Sequence, residues 1–154
     1  MTNQVNSNQQ DAAQHLMFVS GYVHRLLRNE AKRLNLRWTA LMVLKDLHLL
    51  GVVSQRTLSD IEQVTAPTMT VLIRQMESRG WIRRESHGAD ARVNLVAITP
   101  EGRKELKRSG QLLRQRLEEE LSAVPASVLK NLQENLGILT AGIMERIQRG
   151  DPAA

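Results

Sequence analysis

The stretch from Ser54 to Gly80, "SQRTLSDIEQVTAPTMTVLIRQMESRG", constrains the fold more than any other part of this chain. Ser54 and Thr65 are hydroxyl residues placed as N-caps, each just ahead of a run with helical spacing. The first run is short and carries Leu58 and Ile61, and "EQVT" then makes a brief turn. The second run sets Met69, Leu72, Ile73 and Met76 on one face. Pro67 falls in its first turn, where a missing N–H costs nothing, and Gly80 closes it. Its other face carries Pro67, Thr68, Thr70, Val71 and Arg74 instead of the Glu and Lys of an ordinary solvated helix. A short helix, a tight turn and a second helix with such an outer face predict a helix-turn-helix.

The flanks extend this pattern. Leu16, Val19, Val23, Leu26, Leu27, Ala31 and Leu34 predict a helix from about Asp11 to Leu34, preceded by a loose tail over residues 1–10. Thr39 reads as the N-cap of a second helix with Leu41, Leu44, Leu47 and Leu50, ended by Gly51. After Gly80 the period changes. "WIRRES" and "RVNLVAIT" are β-type runs around the turn "HGAD", which predicts a hairpin. Thr99, Pro100 and Glu101 give a cap, a proline start and an acidic first turn for a long helix through Leu106, Leu113, Leu117 and Leu121. Pro125 breaks it and opens a last helix with Val128, Leu132, Leu136, Leu139, Ile143 and Ile147 on one stripe. The fold class expected is mainly α with a small β-wing, as a single domain over 11–150. Its winged helix-turn-helix part spans about 39–99, flanked by helices at 11–38 and 100–149. The apolar stripes of the flanking helices need a partner, and a second copy of the chain is the simplest one.

The chemistry of the second helix suits double-stranded DNA. A helix fits the major groove, ~12 Å wide. Small residues at its start allow close approach, and Thr68 and Thr70 can bond phosphates or base edges. Val71 can pack on a thymine methyl, and Arg74 can reach a phosphate or a guanine edge. In the hairpin, Arg92 suits a narrow minor groove, Asp90 can hold Arg92 in place, and Arg83 and Arg84 can meet phosphates. Net charge is +5, from 21 basic and 16 acidic residues, which favours an anionic partner.

These residues resemble the MarR family of bacterial transcription regulators. The likeness rests on "LSDIEQVTAPTMTVLIRQMESRGWIRRE", on "DAR" in the wing and on "LVAITPEG" leading into the long helix. It implies a winged helix-turn-helix whose first and last helices form a homodimer. It also implies a palindromic operator as partner and release by a small anionic or phenolic ligand. Carried over by residue, Pro67, Thr68, Thr70 and Arg74 match recognition-helix positions, and Asp90 and Arg92 match the wing motif. The chain departs from many members at Gln63, where they have Gly, and at Val71, where they have Arg. A ligand pocket between the dimer helices and the winged part, as the family has, would draw on Phe18, Tyr22, Arg25, Arg37 and Trp38, with His15 nearby. An aromatic wall with an Arg suits an aromatic carboxylate.

What is missing narrows the reading further. The chain has no cysteine, so disulfides, thiolate zinc sites and a peroxide-sensing thiol are excluded. His15, His24, His48 and His87 have no metal-ligand spacing, and no metal or cofactor is expected. Glu118, Glu119 and Glu120 read as a solvated helix face. No phosphate loop or nucleophile–base set suggests an enzyme. No signal peptide or membrane span is visible, which makes the cytoplasm the expected compartment. The function expected is a homodimeric transcription regulator, repressor before activator. The alternative is a winged-helix module whose Thr65–Gly80 face binds a protein.

Overall fold

A computed structural model of the chain describes residues 2–86 and 94–149. The element order is α1 (Thr2–Arg33), α2 (Trp38–Leu50), β1 (Val53–Ser54), α3 (Gln55–Ile61), α4 (Ala66–Ser78), β2 (Ile82–Ser86), β3 (Asn94–Ile98), α5 (Pro100–Leu121) and α6 (Ala126–Arg149). The chain divides into two compact units, the first running through Leu117 and the second beginning at Glu118.

In the first unit, Val43, Leu44, Leu47, Leu58, Met69, Leu72, Ile73, Met76, Ile82, Val96 and Ile98 make one core in which helices α2, α3 and α4 pack on a small sheet. The sheet is antiparallel in the order β1-β3-β2, with Val53 opposite Val96 and Ile82 opposite Ile98. A smaller cluster of Ala31, Leu36 and Leu41 joins the end of α1 to α2. The expected class, mainly helical with a β-wing, is what the chain adopts.

The ends of the helices explain why the turns are so short. Three of them close in the same way, with a left-handed residue two positions past the last helical one. After α1 the residue is Asn35 (φ 57°): its N–H donates to the Lys32 carbonyl at 3.0 Å, and the Leu36 N–H to that of Ala31 at 2.8 Å. After α3 it is Gln63 (φ 51°): its N–H donates to Asp60 O at 3.4 Å, and the Val64 N–H to Ser59 O at 3.1 Å. After α4 it is Gly80 (φ 71°): its N–H donates to Glu77 O at 2.9 Å, and the Trp81 N–H to Met76 O at 3.0 Å. In each motif the next residue, Leu36, Val64 or Trp81, returns to an apolar cluster. Ser54 and Thr65 cap α3 and α4 as the sequence predicts.

Gln63 therefore holds, without the freedom of glycine, a conformation that costs an ordinary side chain ~1 kcal/mol. Gln63→Gly should relieve it and raise the melting temperature by about 2–4 °C, read by thermal denaturation followed by circular dichroism. An unchanged or lower value would mean that the Gln63 side chain repays its own strain.

The structure also corrects three expectations. Helix α1 runs from Thr2, so the segment expected as a loose tail is helical. Once a downstream stripe nucleates a helix, each added residue gains a bond at little cost, and Asn and Gln do not prevent this. Helix α2 starts at Trp38, with Arg37 as its N-cap and no side-chain cap, so Thr39 sits inside the first turn. Strand β1 was not expected: two residues carry too little pattern to show in a sequence.

Helices α1 and α6 each leave large apolar side chains open: Leu16, Met17, Phe18 and Val19 on the first, and Leu136, Ile138, Leu139 and Ile143 on the second. The Ile147 side chain lies outside the described residues. Among the described residues, no helix is long and apolar enough to cross a membrane.

Candidate nucleic-acid interface

Helix α4 is divided sharply. Met69, Leu72, Ile73 and Met76 are buried, whereas Pro67, Thr68, Val71 and Arg74 are exposed. Pro67, Val71 and Arg74 stand four and three residues apart, which aligns them as one ridge along the outside of the helix. Val71 is half exposed, although a burial-driven helix would cover it. Among the described residues, Arg74 has no ion-pair partner, so its guanidinium is available to a ligand.

The threonines divide the work. The Thr65 hydroxyl accepts from the Thr68 N–H at 3.4 Å and lies 2.8 Å from the Thr68 hydroxyl, which orders the first turn. Thr70 is half-buried and already engaged: it donates to the Ala66 carbonyl at 2.8 Å and accepts from Gln55 Nε2 at 2.6 Å. Thr70 thus clamps α3 to α4. Sequence reasoning missed Gln55, because no period links positions so far apart, and only the packed helix pair brings them together.

On the wing, the two arginines expected to meet phosphates are both paired. Arg83 bonds Glu85 on the same strand, and Arg84 reaches back to Glu77 of α4 at 3.1 Å, fastening β2 to that helix. Asp90, Arg92 and His87, with the turn "HGAD", lie outside the described residues.

Two further features lie next to α4 in the chain's packing, at the ends of the turns that flank it. Gly102, in the first turn of α5, faces the Trp81 carbonyl so closely that a Cβ would collide with that oxygen and lie 2.9 Å from Ile98 Cγ1. The same turn is tied down by Thr99, which donates from its N–H to Trp81 O at 3.0 Å and from its hydroxyl to Gly80 O. Thr99 Oγ1 also accepts from the Gly102 N–H at 3.0 Å. The second feature is an acid pair. Glu62, in the turn between α3 and α4, meets Asp46 of α2, which is buried. Burial, the hydrogen bond to Asp46 and the Asp46 charge push the Glu62 carboxyl up to about 7, against a smaller opposing pull from Lys45. Among the described residues, Asp46 Oδ2 is buried with no hydrogen-bond partner.

The expected ligand residues separate. Arg25, Arg37 and Trp38 line one open hollow of about 770 Å³, with His24 edge-on to Trp38 at 5.2 Å. Phe18 and Tyr22 do not line it; Phe18 is 74% exposed and belongs to the open apolar stretch of α1. His15 makes a local contact, 2.8 Å from the Asp11 carbonyl. Among the described residues, no three His, Cys, Asp or Glu are placed to hold a metal.

Comparison with known proteins agrees with this geometry. Residues 36–93 match the model of the MarR family. Over 68 residues the chain is 34% identical to an HTH-type transcriptional regulator of Bacillus subtilis (strain 168), YwoH, an alignment covering 44% of this chain and 47% of that protein. The chain spans less than half the length of the curated relatives it matches. Among solved structures it is similar to a mutant of MarR from E. coli, with a TM-score of 0.72 and 22% identity over 83% of this chain and 95% of the other. A mutant MarR complexed with operator DNA is similar at a TM-score of 0.57 and 23% identity, over 82% of this chain and 91% of the other. The family match begins just ahead of α2 and takes in the helix-turn-helix and β2, inside a fold shared with these structures over most of the length.

Proposed function

We propose that this protein is a homodimeric transcription regulator that reads double-stranded DNA with the outer ridge of α4 and represses until a small ligand releases it. The observation that carries the reading is the ridge itself. Pro67, Thr68, Val71 and Arg74 are exposed on a helix whose other face is fully buried, and they combine small size, one hydroxyl and a guanidinium that has no ion pair among the described residues. This is the chemistry of a groove reader. The similar MarR mutant complexed with operator DNA supports the same use of the fold. The open apolar stretches of α1 and α6 support a second copy as partner. Two copies would set paired α4 helices in successive major grooves, ~34 Å apart. Arg25, Arg37 and Trp38, meeting in one hollow, support a small aromatic or anionic effector.

The test is binding of the purified protein to duplex DNA from upstream of its own gene, with random duplex as competitor. Saturable binding that survives the competitor is expected. Arg74→Ala should weaken it by about tenfold or more, at ~1–3 kcal/mol for a good base contact. If wild type and Arg74→Ala bind both duplexes equally, α4 does not read sequence. If neither duplex is bound, the protein is not a DNA-binding regulator.

A further inference from the structure

The exposed cations of this chain are not spread evenly. Arg25, Arg28 and Lys32 stand on one stripe of α1, three and four residues apart, and all three line the same hollow as Arg37 at the start of α2. None of the residues lining the hollow is acidic. The nearest carboxylate in sequence, Glu30, is buried and held by Arg33 through Nε at 3.0 Å and Nη2 at 2.8 Å, so it does not neutralise the row. Among the described residues, Arg25, Arg28, Lys32 and Arg37 carry no ion pair of their own. Thr68, on the exposed first turn of α4, lines the same hollow.

Such a row needs an explanation. Four unpaired like charges in one hollow repel one another, and that cost persists in the free protein. A compact anion would contact only one or two of them. A linear polyanion would contact them all. Seven residues of helix advance ~10 Å, and one strand of B-DNA carries a phosphate for every ~3.4 Å of axis. The stripe therefore runs alongside about three phosphates. Because Thr68 shares the hollow, a duplex that receives α4 in its groove brings its own backbone to this place.

We propose that the α1–α2 hollow is a second DNA contact, in which Arg25, Arg28, Lys32 and Arg37 hold the phosphate backbone that flanks the groove read by α4. The contact adds affinity without sequence preference, and an organic anion entering the hollow contends for the same charges. This inference rests on the reading of the protein as a DNA-binding regulator.

The experiment compares wild type with the double variant Arg28→Ala/Lys32→Ala, on the upstream duplex and on random duplex, between 50 and 200 mM salt. Both side chains are exposed and unpaired, and Ala keeps the helix, so an unchanged melting temperature is the control. Two lost phosphate contacts make the slope of log affinity against log salt shallower by about 2. The deficit of the variant then shrinks about tenfold from 50 to 200 mM, equally on both duplexes. Arg28→Lys/Lys32→Arg should keep the wild-type slope. An unchanged slope in the double Ala variant, with wild type still bound, overturns this inference alone. A loss confined to the upstream duplex would also overturn it, since it would mean base reading. If wild type binds neither duplex, the regulator reading fails and the inference with it.

Discussion

Replacing Gly102 by Ala lowers the melting temperature by about 6–12 °C, or leaves no folded protein. The helix here needs no glycine for its dihedral angles. What it needs is space. A methyl group at this position would meet the Trp81 carbonyl oxygen and Ile98 Cγ1, and neither is the loose end of a flexible side chain. The carbonyl cannot retreat, because it accepts from the Thr99 N–H. The Thr99 hydroxyl holds the preceding Gly80 carbonyl as well. Relief therefore means moving the first turn of α5 off the wing, which uncovers Ile82 and Ile98 and breaks those bonds. Overpacking of this kind costs ~3 kcal/mol, at the upper end for such changes, and the backbone contact puts it there. At ~2–4 °C per kcal/mol the shift is easily read in a melting curve. Gly110→Ala provides the control. It lies on the same helix with nothing within 4 Å of a built Cβ, and Ala is the better helix former. A Gly102→Ala melting temperature within 2–3 °C of wild type would show that α5 does not dock as closely as described.

Stability should fall as pH rises from 5 to 8, and Glu62→Gln should abolish that fall. The folded Glu62 carboxyl titrates at about 7, against 4.5 for an unperturbed one. The folded state thus binds this proton more tightly than the unfolded chain. The stabilisation is complete below about 4.5 and is lost as pH climbs through about 7. Burial drives the shift first, then the hydrogen bond to Asp46 and its charge, and Lys45 is the cation that opposes it. Full linkage for such a displacement is ~3 kcal/mol, and water on the open side of Glu62 reduces it to ~1–2 kcal/mol. Gln donates to Asp46 at every pH, so the variant should melt higher than wild type at pH 8 and close to it at pH 5. Glu30, held low by its hydrogen bonds to Arg33, has the opposite sign: its contribution is present above 4.5 and fades in more acid solution. The window from 5 to 8 therefore isolates the Glu62 pair. A wild-type melting temperature that is flat or rising across this window would show that folding does not raise the Glu62 carboxyl.

Much of this could be read from the chain because its local signals agree with one another. Ser54 and Thr65 are caps both by residue type and by observed hydrogen bonds, and the buried face of α4 is the set that helical spacing picks out. The exposed ridge was legible for the same reason: once the inner face was assigned, Val71 and Arg74 had only the outside left. Other features depend on contacts between distant segments. Thr70 looks like a groove contact until Gln55 arrives from α3. Arg84 looks like a phosphate contact until Glu77 faces it across the wing. The Asp46–Glu62 pair carries no motif at all, and Phe18 and Tyr22 look like pocket walls only while the direction of α1 is unknown.

The bonds around Thr99 carry a mechanical implication. The Gly80 and Trp81 carbonyls, just past the end of α4, are both held by Thr99, just ahead of α5. A tilt imposed on the beginning of α5 therefore pulls on the residues that close α4, as a short link passes on the turn of a shaft.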